Sequence, residues 1–254
     1  MVSENKLKQL RSLSQKKNRL KRNHFIVEGV RLVEEATRAG RVESVFHFPD
    51  AVSSERLATL MTELKKRDIP VIEIEEKDLN SLSDTVQNQG VVALSTIPEH
   101  NDSQPAQING NWLYLDQIRN PGNLGTILRT ADWFYLKNIA LSPATADPYN
   151  PKAVRGGMGA HFHLNIHTDW PLSDLKKSGR KIIAADQNSE PIWKLNMKES
   201  EEWCLVIGSE ADGISKENRS LADQFVSIPG TGEGESLNVA VAAGILLYQL
   251  TNSS

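Results

Sequence analysis

The 254-residue chain has a single cysteine, Cys204, so no disulfide can form within it. That thiol sits among Trp203, Leu205, Val206 and Ile207, which marks it as a buried structural residue rather than a nucleophile or ligand. No apolar run approaches the ~20 residues of a membrane span, and the basic, polar opening residues lack the apolar core of a signal peptide. These absences predict a cytoplasmic protein with no membrane attachment. Internal repeats and low-complexity tracts are also missing, which excludes solenoids and arrays. His161, His163 and His167 share one parity on an expected strand His161–His167, but no Cys, Asp or Glu at ligand spacing completes a set, so no metal is expected. No Ser-His-Asp or Cys-His arrangement announces itself.

What is present is ordinary globular material, 39% hydrophobic and 24% charged, long enough for two cores. The net charge of −3 hides an asymmetry. Residues 1–24 carry Lys6, Lys8, Arg11, Lys16, Lys17, Arg19, Lys21 and Arg22 against Glu4 alone, leaving the remainder acidic. A basic arm on an acidic body is the footprint of a chain that must find a phosphate backbone, although a solvated helix has the same composition.

Hydrophobic periodicity predicts strands at Phe25–Val27, Val42–Phe48, Val71–Ile74 and Val91–Ser95, with helices at Val30–Arg38 and Glu55–Arg67. This makes an α/β domain of residues 1–96. Residues 97–111, rich in Pro, Gly and Asn, read as a linker. From Trp112 to the end, residues 112–254, the alternation resumes with strands Trp112–Asp116, Asn138–Ser142, Lys181–Ala185, Trp203–Ile207 and Phe225–Ile228. Helices are expected at about Gly122–Phe134, Leu172–Lys177 and Lys216–Leu221. Strands alternating with helices predict a parallel sheet.

The last stretch, Val226–Leu250, runs from a strand through a turn containing Gly230, Gly232 and Gly234 into an apolar helix that should be buried in a core or a subunit contact. The glycines predict close backbone approach to a bound group and dihedrals closed to other residues, with Ser236 as helix N-cap. A dinucleotide loop is excluded: Glu235 stands where the third glycine belongs, and too little chain follows to complete the βαβ unit. Two further loops follow strands. Pro121-Gly122-Asn123 opens a helix carrying Arg129, with Asn123 as a possible cap, and Gly208-Ser209-Glu210 ends the strand before Asp212-Gly213. In parallel α/β sheets ligands bind outside the carboxyl ends of strands, so the three loops are expected to converge on one pocket.

Asn123-Leu124-Gly125-Thr126-Ile127-Leu128-Arg129, Ile207-Gly208-Ser209-Glu210, and Ile228-Pro229 through Glu235-Ser236-Leu237-Asn238-Val239 resemble the three ordered motifs of the SpoU branch of the SPOUT RNA methyltransferases. Phe25-Ile26-Val27-Glu28-Gly29 and Gln89-Gly90-Val91-Val92-Ala93 are similar to that family's N-terminal substrate-binding domain. The resemblance implies an L30e-like α/β domain followed by a parallel-sheet SPOUT domain with a deep trefoil knot, working as a homodimer through the catalytic domain. It implies S-adenosylmethionine as cofactor, held around Gly208, Ile228, Gly232 and Leu237, and methyl transfer to a ribose 2′-hydroxyl of RNA. Asn123, Arg129, Glu210, Ser236 and Asn238 are the catalytic residues it carries over.

A guanidinium is a poor base, so Arg129 is expected to act with an RNA phosphate as proton acceptor or to stabilise the developing oxyanion. The domain architecture points to ribosomal RNA, with transfer RNA as the alternative. A non-catalytic RNA-binding scaffold would share the fold and the basic arm, but Asn123, Arg129, Glu210 and Asn238 are all intact.

Overall fold

The computed structural model describes residues 2–51, 54–83, 89–98, 105–198 and 200–252. The chain divides into two compact units, Met1–Glu99 with Asp147–Phe162, and His100–Ala146 with His163–Ser254. The expected linker, residues 97–111, is divided between the two units. Residues 147–162, placed by the sequence reading in the second domain, group with the first.

In the first unit, helix α1 (Glu4–Arg11) starts at Ser3, whose Oγ accepts the Lys6 N–H, and α2 (Lys16–Arg22) ends at Asn23 in left-handed conformation. The basic arm is therefore folded. Leu7, Leu10 and Leu13 are buried, and so is Arg19, whose Nε donates to Asp147 Oδ2 at 2.9 Å and whose Nη1 donates to the Leu13 carbonyl at 2.6 Å. Strands β1 (His24–Glu28), β2 (Val42–His47), β3 (Val71–Glu73) and β4 (Val91–Thr96) form a sheet in the order β1-β4-β2-β3. β4 is antiparallel to both neighbours and β2 is parallel to β3.

Alternation along central β4 sends Val91 and Ala93 to one face and Val92 and Leu94 to the other. Helices α3 (Val30–Arg38) and α4 (Glu55–Lys66) cover the first face with Val33, Leu60 and Leu64. Leu10 and Leu13 cover the second, together with Leu79 of α5 (Glu76–Leu82). Tyr149 and Val154 complete the first core from residues 147–162.

The second unit is a six-stranded all-parallel sheet. Its strands are β5 (Trp112–Asp116), β6 (Asn138–Leu141), β7 (Asn165–His167), β8 (Lys181–Pro191), β9 (Trp203–Gly208) and β10 (Gln224–Ser227), in the order β10-β8-β9-β5-β6-β7. β5 and β9 are central and buried almost throughout, as expected for strands covered on both faces. Helix α6 (Pro121–Trp133) follows β5, and α7 (Pro151–Gly157) belongs to the segment that packs with the first unit. The remaining helices are α8 (Leu172–Lys177), α9 (Lys216–Arg219) and α10 (Val239–Asn252), the last lying against α6.

α10 buries Ala243, Leu246, Leu247 and Leu250 and exposes Val241, Ile245 and Tyr248. Cys204 is fully buried, and burial pushes its thiol up from the ordinary value. Among the described residues no helix is long and apolar enough to cross a membrane.

The expected strand His161–His167 is not one element. Ala160–Phe162 is a 3-10 turn in the first unit, and β7 begins only at Asn165. The three histidines do not share a face. His161 bonds the Pro148 carbonyl at 2.7 Å, His163 bonds Asp132 at 2.8 Å, and His167 packs against Trp112 and Trp170. Alternation over so short a stretch was a weak signal, and the glycines before it turn the chain.

Candidate active site

The loops after β5, β9 and β10 all leave the carboxyl edge of the parallel sheet, where ligands bind in such folds. Local chemistry sets each one. After β5, the Asn120 side chain accepts the N–H groups of Gly122 (2.8 Å) and Asn123 (3.4 Å), and Pro121 occupies the first turn, where its missing N–H costs nothing. The expected cap, Asn123, is thus relieved of that role and its side chain is available for long-range contacts.

After β9 the chain doubles back, with Ser209 and Gly213 exchanging backbone hydrogen bonds of 3.1 and 3.0 Å. A Cβ on Gly208 would lie 2.2 Å from the Gly213 backbone, so only glycine permits this closure. The Ser209 hydroxyl accepts the Asp212 N–H at 3.1 Å. Buried Asp116, at the end of β5, accepts the Ser215 N–H at 2.8 Å and ties the same loop to its neighbour.

At α10 the cap is Asn238 rather than Ser236. Its Oδ1 accepts the Ala240 N–H at 2.9 Å and the helix begins at Val239. The glycine turn differs from expectation as well. Gly230, Gly232 and Gly234 have no left-handed φ, and a Cβ on any of them would meet nothing within 4 Å. The turn from Pro229 to Asn238 is solvent-exposed throughout.

One hydrogen-bonded chain joins the three loops. Asn238 Nδ2 donates to Asn123 Oδ1 at 3.3 Å, and Asn123 Nδ2 donates to Glu210 Oε1 in a close contact. Arg119 Nη2 lies 3.2 Å from Asp212 Oδ2, the second carboxylate of the β9 loop. Arg129 is exposed on α6 outside this chain. Ser236, Gly232 and Leu237 lie along the exposed turn, and Ile228 is half-buried at the end of β10. Asn120 and Asp116 were missed by sequence reasoning. The available signals were an asparagine directly before Pro121 and a carboxylate ending an otherwise apolar strand.

Residues 111–248 match the SpoU rRNA Methylase family, and residues 4–93 match the MRM3-like substrate binding domain. The chain belongs to the SpoU rRNA methylase family. This SpoU methylase is 33% identical over 250 residues to the 23S rRNA (guanosine(2553)-2′-O)-methyltransferase RlmP of Bacillus subtilis, which covers 96% of this chain and 95% of the relative. Among solved structures, a TrmH-family RNA methyltransferase from Porphyromonas gingivalis covers both chains completely, with 30% identity and a TM-score of 0.84. An AdoMet-bound rRNA methyltransferase from Sinorhizobium meliloti matches at 27% identity and a TM-score of 0.84, covering 100% of this chain and 97% of the other. The motif resemblance and the α/β, parallel-sheet fold are thereby confirmed for this SpoU methylase.

Proposed function

We propose that the chain transfers the methyl group of S-adenosylmethionine to a ribose 2′-hydroxyl of ribosomal RNA. The observation that carries this reading is the Asn238–Asn123–Glu210 chain, which brings one polar side chain from each of the three loops to the same edge of the sheet. The relatives' described activities agree with it. The residues present fit the cofactor. The exposed glycine turn offers backbone that no Cβ obstructs, and Gly208 lets the β9 loop close on itself.

Gly208, Ile228, Gly232 and Leu237 would hold the adenosyl group. When bound, the cofactor supplies an electrophilic methyl on a sulfonium that departs as a neutral thioether. The remaining work falls to the chain. Asn123 and Asn238, locked in one amide orientation by Glu210 and the start of α10, fix the acceptor ribose in line, and such positioning supplies much of the rate. Ser236 faces the hydroxyl. Arg129 pairs with an RNA phosphate that accepts the proton, or stabilises the developing oxyanion. Activity of Arg129→Lys near that of the wild type would exclude any role that needs the planar fork.

Among the N-terminal cations, Lys6, Arg11 and Arg19 are engaged in ion pairs, while Lys8, Lys16, Lys17, Lys21 and Arg22 are exposed. We assign these five to RNA phosphates. Deleting the arm would also remove buried Leu7, Leu10 and Leu13, so the cleaner test replaces Lys16, Lys17 and Lys21 by alanine. The salt dependence of RNA binding should then flatten by ~0.7 per lost contact.

Membership of the SpoU family supports a trefoil knot. Exposed Val241, Ile245 and Tyr248 on α10 support a homodimer, and sedimentation as a monomer would refute it. A ribosomal RNA substrate supports a cytoplasmic location. The reaction itself is tested by incubating the protein with labelled cofactor and deproteinised ribosomal RNA, then digesting in alkali. Label retained in alkali-resistant dinucleotides is expected, because a 2′-O-methyl blocks cleavage there. Label on a base would overturn the assignment.

A further inference from the structure

The first unit contains a cavity of about 200 Å³ lined by Glu28, Gly29, Arg31, Gln89, Arg155 and Met158. Four separate stretches build it: the end of β1, the first turn of α3, the residues ahead of β4, and the end of α7. Gln89 is fixed because its Oε1 accepts the Val30 N–H at 2.9 Å. Glu28 accepts a hydrogen bond from Ser83 and lies 3.7 Å from Arg155 Nη1. Arg31 is exposed at the rim.

Met158 is 40% exposed and held in left-handed conformation, φ +49°, which a bulky residue adopts only at a cost. The next residue, Gly159, packs so closely that a Cβ there would lie 2.8 Å from Glu35 Cγ. A strained, exposed thioether contributes little to the core.

The geometry points to a pocket for a single unpaired nucleobase of the RNA substrate, a subsite that rests on the RNA reading above. Sequence-bearing RNA contacts fall on splayed-out bases, which offer a flat face for packing and polar edges for hydrogen bonds. Met158 provides the polarisable surface for the face, and Glu28 and Gln89 provide polar groups for the edge. Arg31 at the rim suits the adjoining phosphate.

The test uses the full-length protein, deproteinised ribosomal RNA as probe, and three readouts: methyl transfer, RNA retention on filters, and titration with S-adenosylmethionine. Met158→Trp fills the cavity without changing charge. With the pocket filled the base cannot seat, so RNA affinity should fall by about tenfold, with unchanged cofactor binding and an unchanged salt slope. Arg31→Glu should weaken RNA binding and flatten the salt slope, and Arg31→Lys should restore most of the binding. RNA affinity of Met158→Trp within about twofold of the wild type overturns the pocket, even with methylation intact. Absence of methyl transfer by the wild type would instead overturn the enzymatic reading, and filter retention would still decide the pocket.

Discussion

Acid should destabilise the first unit through His161. The ring is 1% exposed, and one nitrogen, Nε2, lies 2.7 Å from the Pro148 carbonyl oxygen. Nε2 must therefore carry the proton in the neutral ring. Among the described residues Nδ1 has no hydrogen-bond partner, so a second proton would be buried there without an acceptor. Burial is the dominant influence and lowers the pKa from 6.5 to about 4, against smaller opposing effects of the Pro148 carbonyl and Asp147. The folded value is thus depressed. Below pH 6.5 the unfolded chain takes up a proton that the folded chain refuses, and stability falls with pH until about 4.

At 1.36 kcal/mol per unit, the loss between pH 7.5 and pH 5 is ~2 kcal/mol from this one residue. Amide exchange of β1 and β4, followed at several pH values and corrected for intrinsic rates, measures the stability of the unit. In His161→Gln, where an amide N–H can still reach the carbonyl, the stability difference from the wild type should shrink by that amount as the solution is acidified. All five tryptophans lie in the second unit, so its denaturation, followed by fluorescence, is an internal control that should not respond to the substitution. A wild-type to His161→Gln difference that stays constant from pH 7.5 to 5 would refute the reasoning.

Gly208→Ala should destabilise the second unit by more than the ~1–3 kcal/mol typical of overpacking, because the atoms met are backbone; an unshifted tryptophan-monitored melt would contradict this. Arg19→Met leaves Asp147 buried without its guanidinium, and urea denaturation should show a loss of ~3–5 kcal/mol in the first unit, partly recovered by adding Asp147→Asn. Asn238→Asp keeps the helix cap but removes the donor to Asn123, so the melting temperature should hold while kcat falls by about a hundredfold or more; unaltered kcat would remove Asn238 from the machinery.

The parts legible in the sequence are those whose signal is local. Trp112–Asp116 and Trp203–Gly208 are short apolar runs ended by a polar residue or glycine, and α6 announces itself by Pro121 and Gly122. The folding of the basic arm was not legible because its anchors, Leu7, Leu10 and Leu13, are sparse among cations, and the contact of Arg19 with Asp147 spans 128 residues. The same distance hid residues 147–162. They contain Pro148, Pro151 and three glycines, and only the three-dimensional fold shows Tyr149 against Phe25 and Gly159 against Glu35.

The three loops were legible, but the local roles of their side chains were not, and the reason lies in helix capping. Asn120 and Asn123 are both good caps by residue type, as are Ser236 and Asn238, and composition does not choose between them. The choice has chemical consequences. Because Asn120 serves α6, Asn123 can bridge Asn238 and Glu210. Because Asn238 caps α10 with its oxygen, its nitrogen is aimed at Asn123. A neutral amide both accepts and donates, as both contacts require. An aspartate at 238 would cap equally well but would place a second carboxylate in a cluster that already contains Glu210, and a serine has too short a side chain to span both contacts. The two asparagines thus couple the start of one helix to the start of another through side chains alone, and under the proposed function a ribose held by either amide would be positioned by both loops.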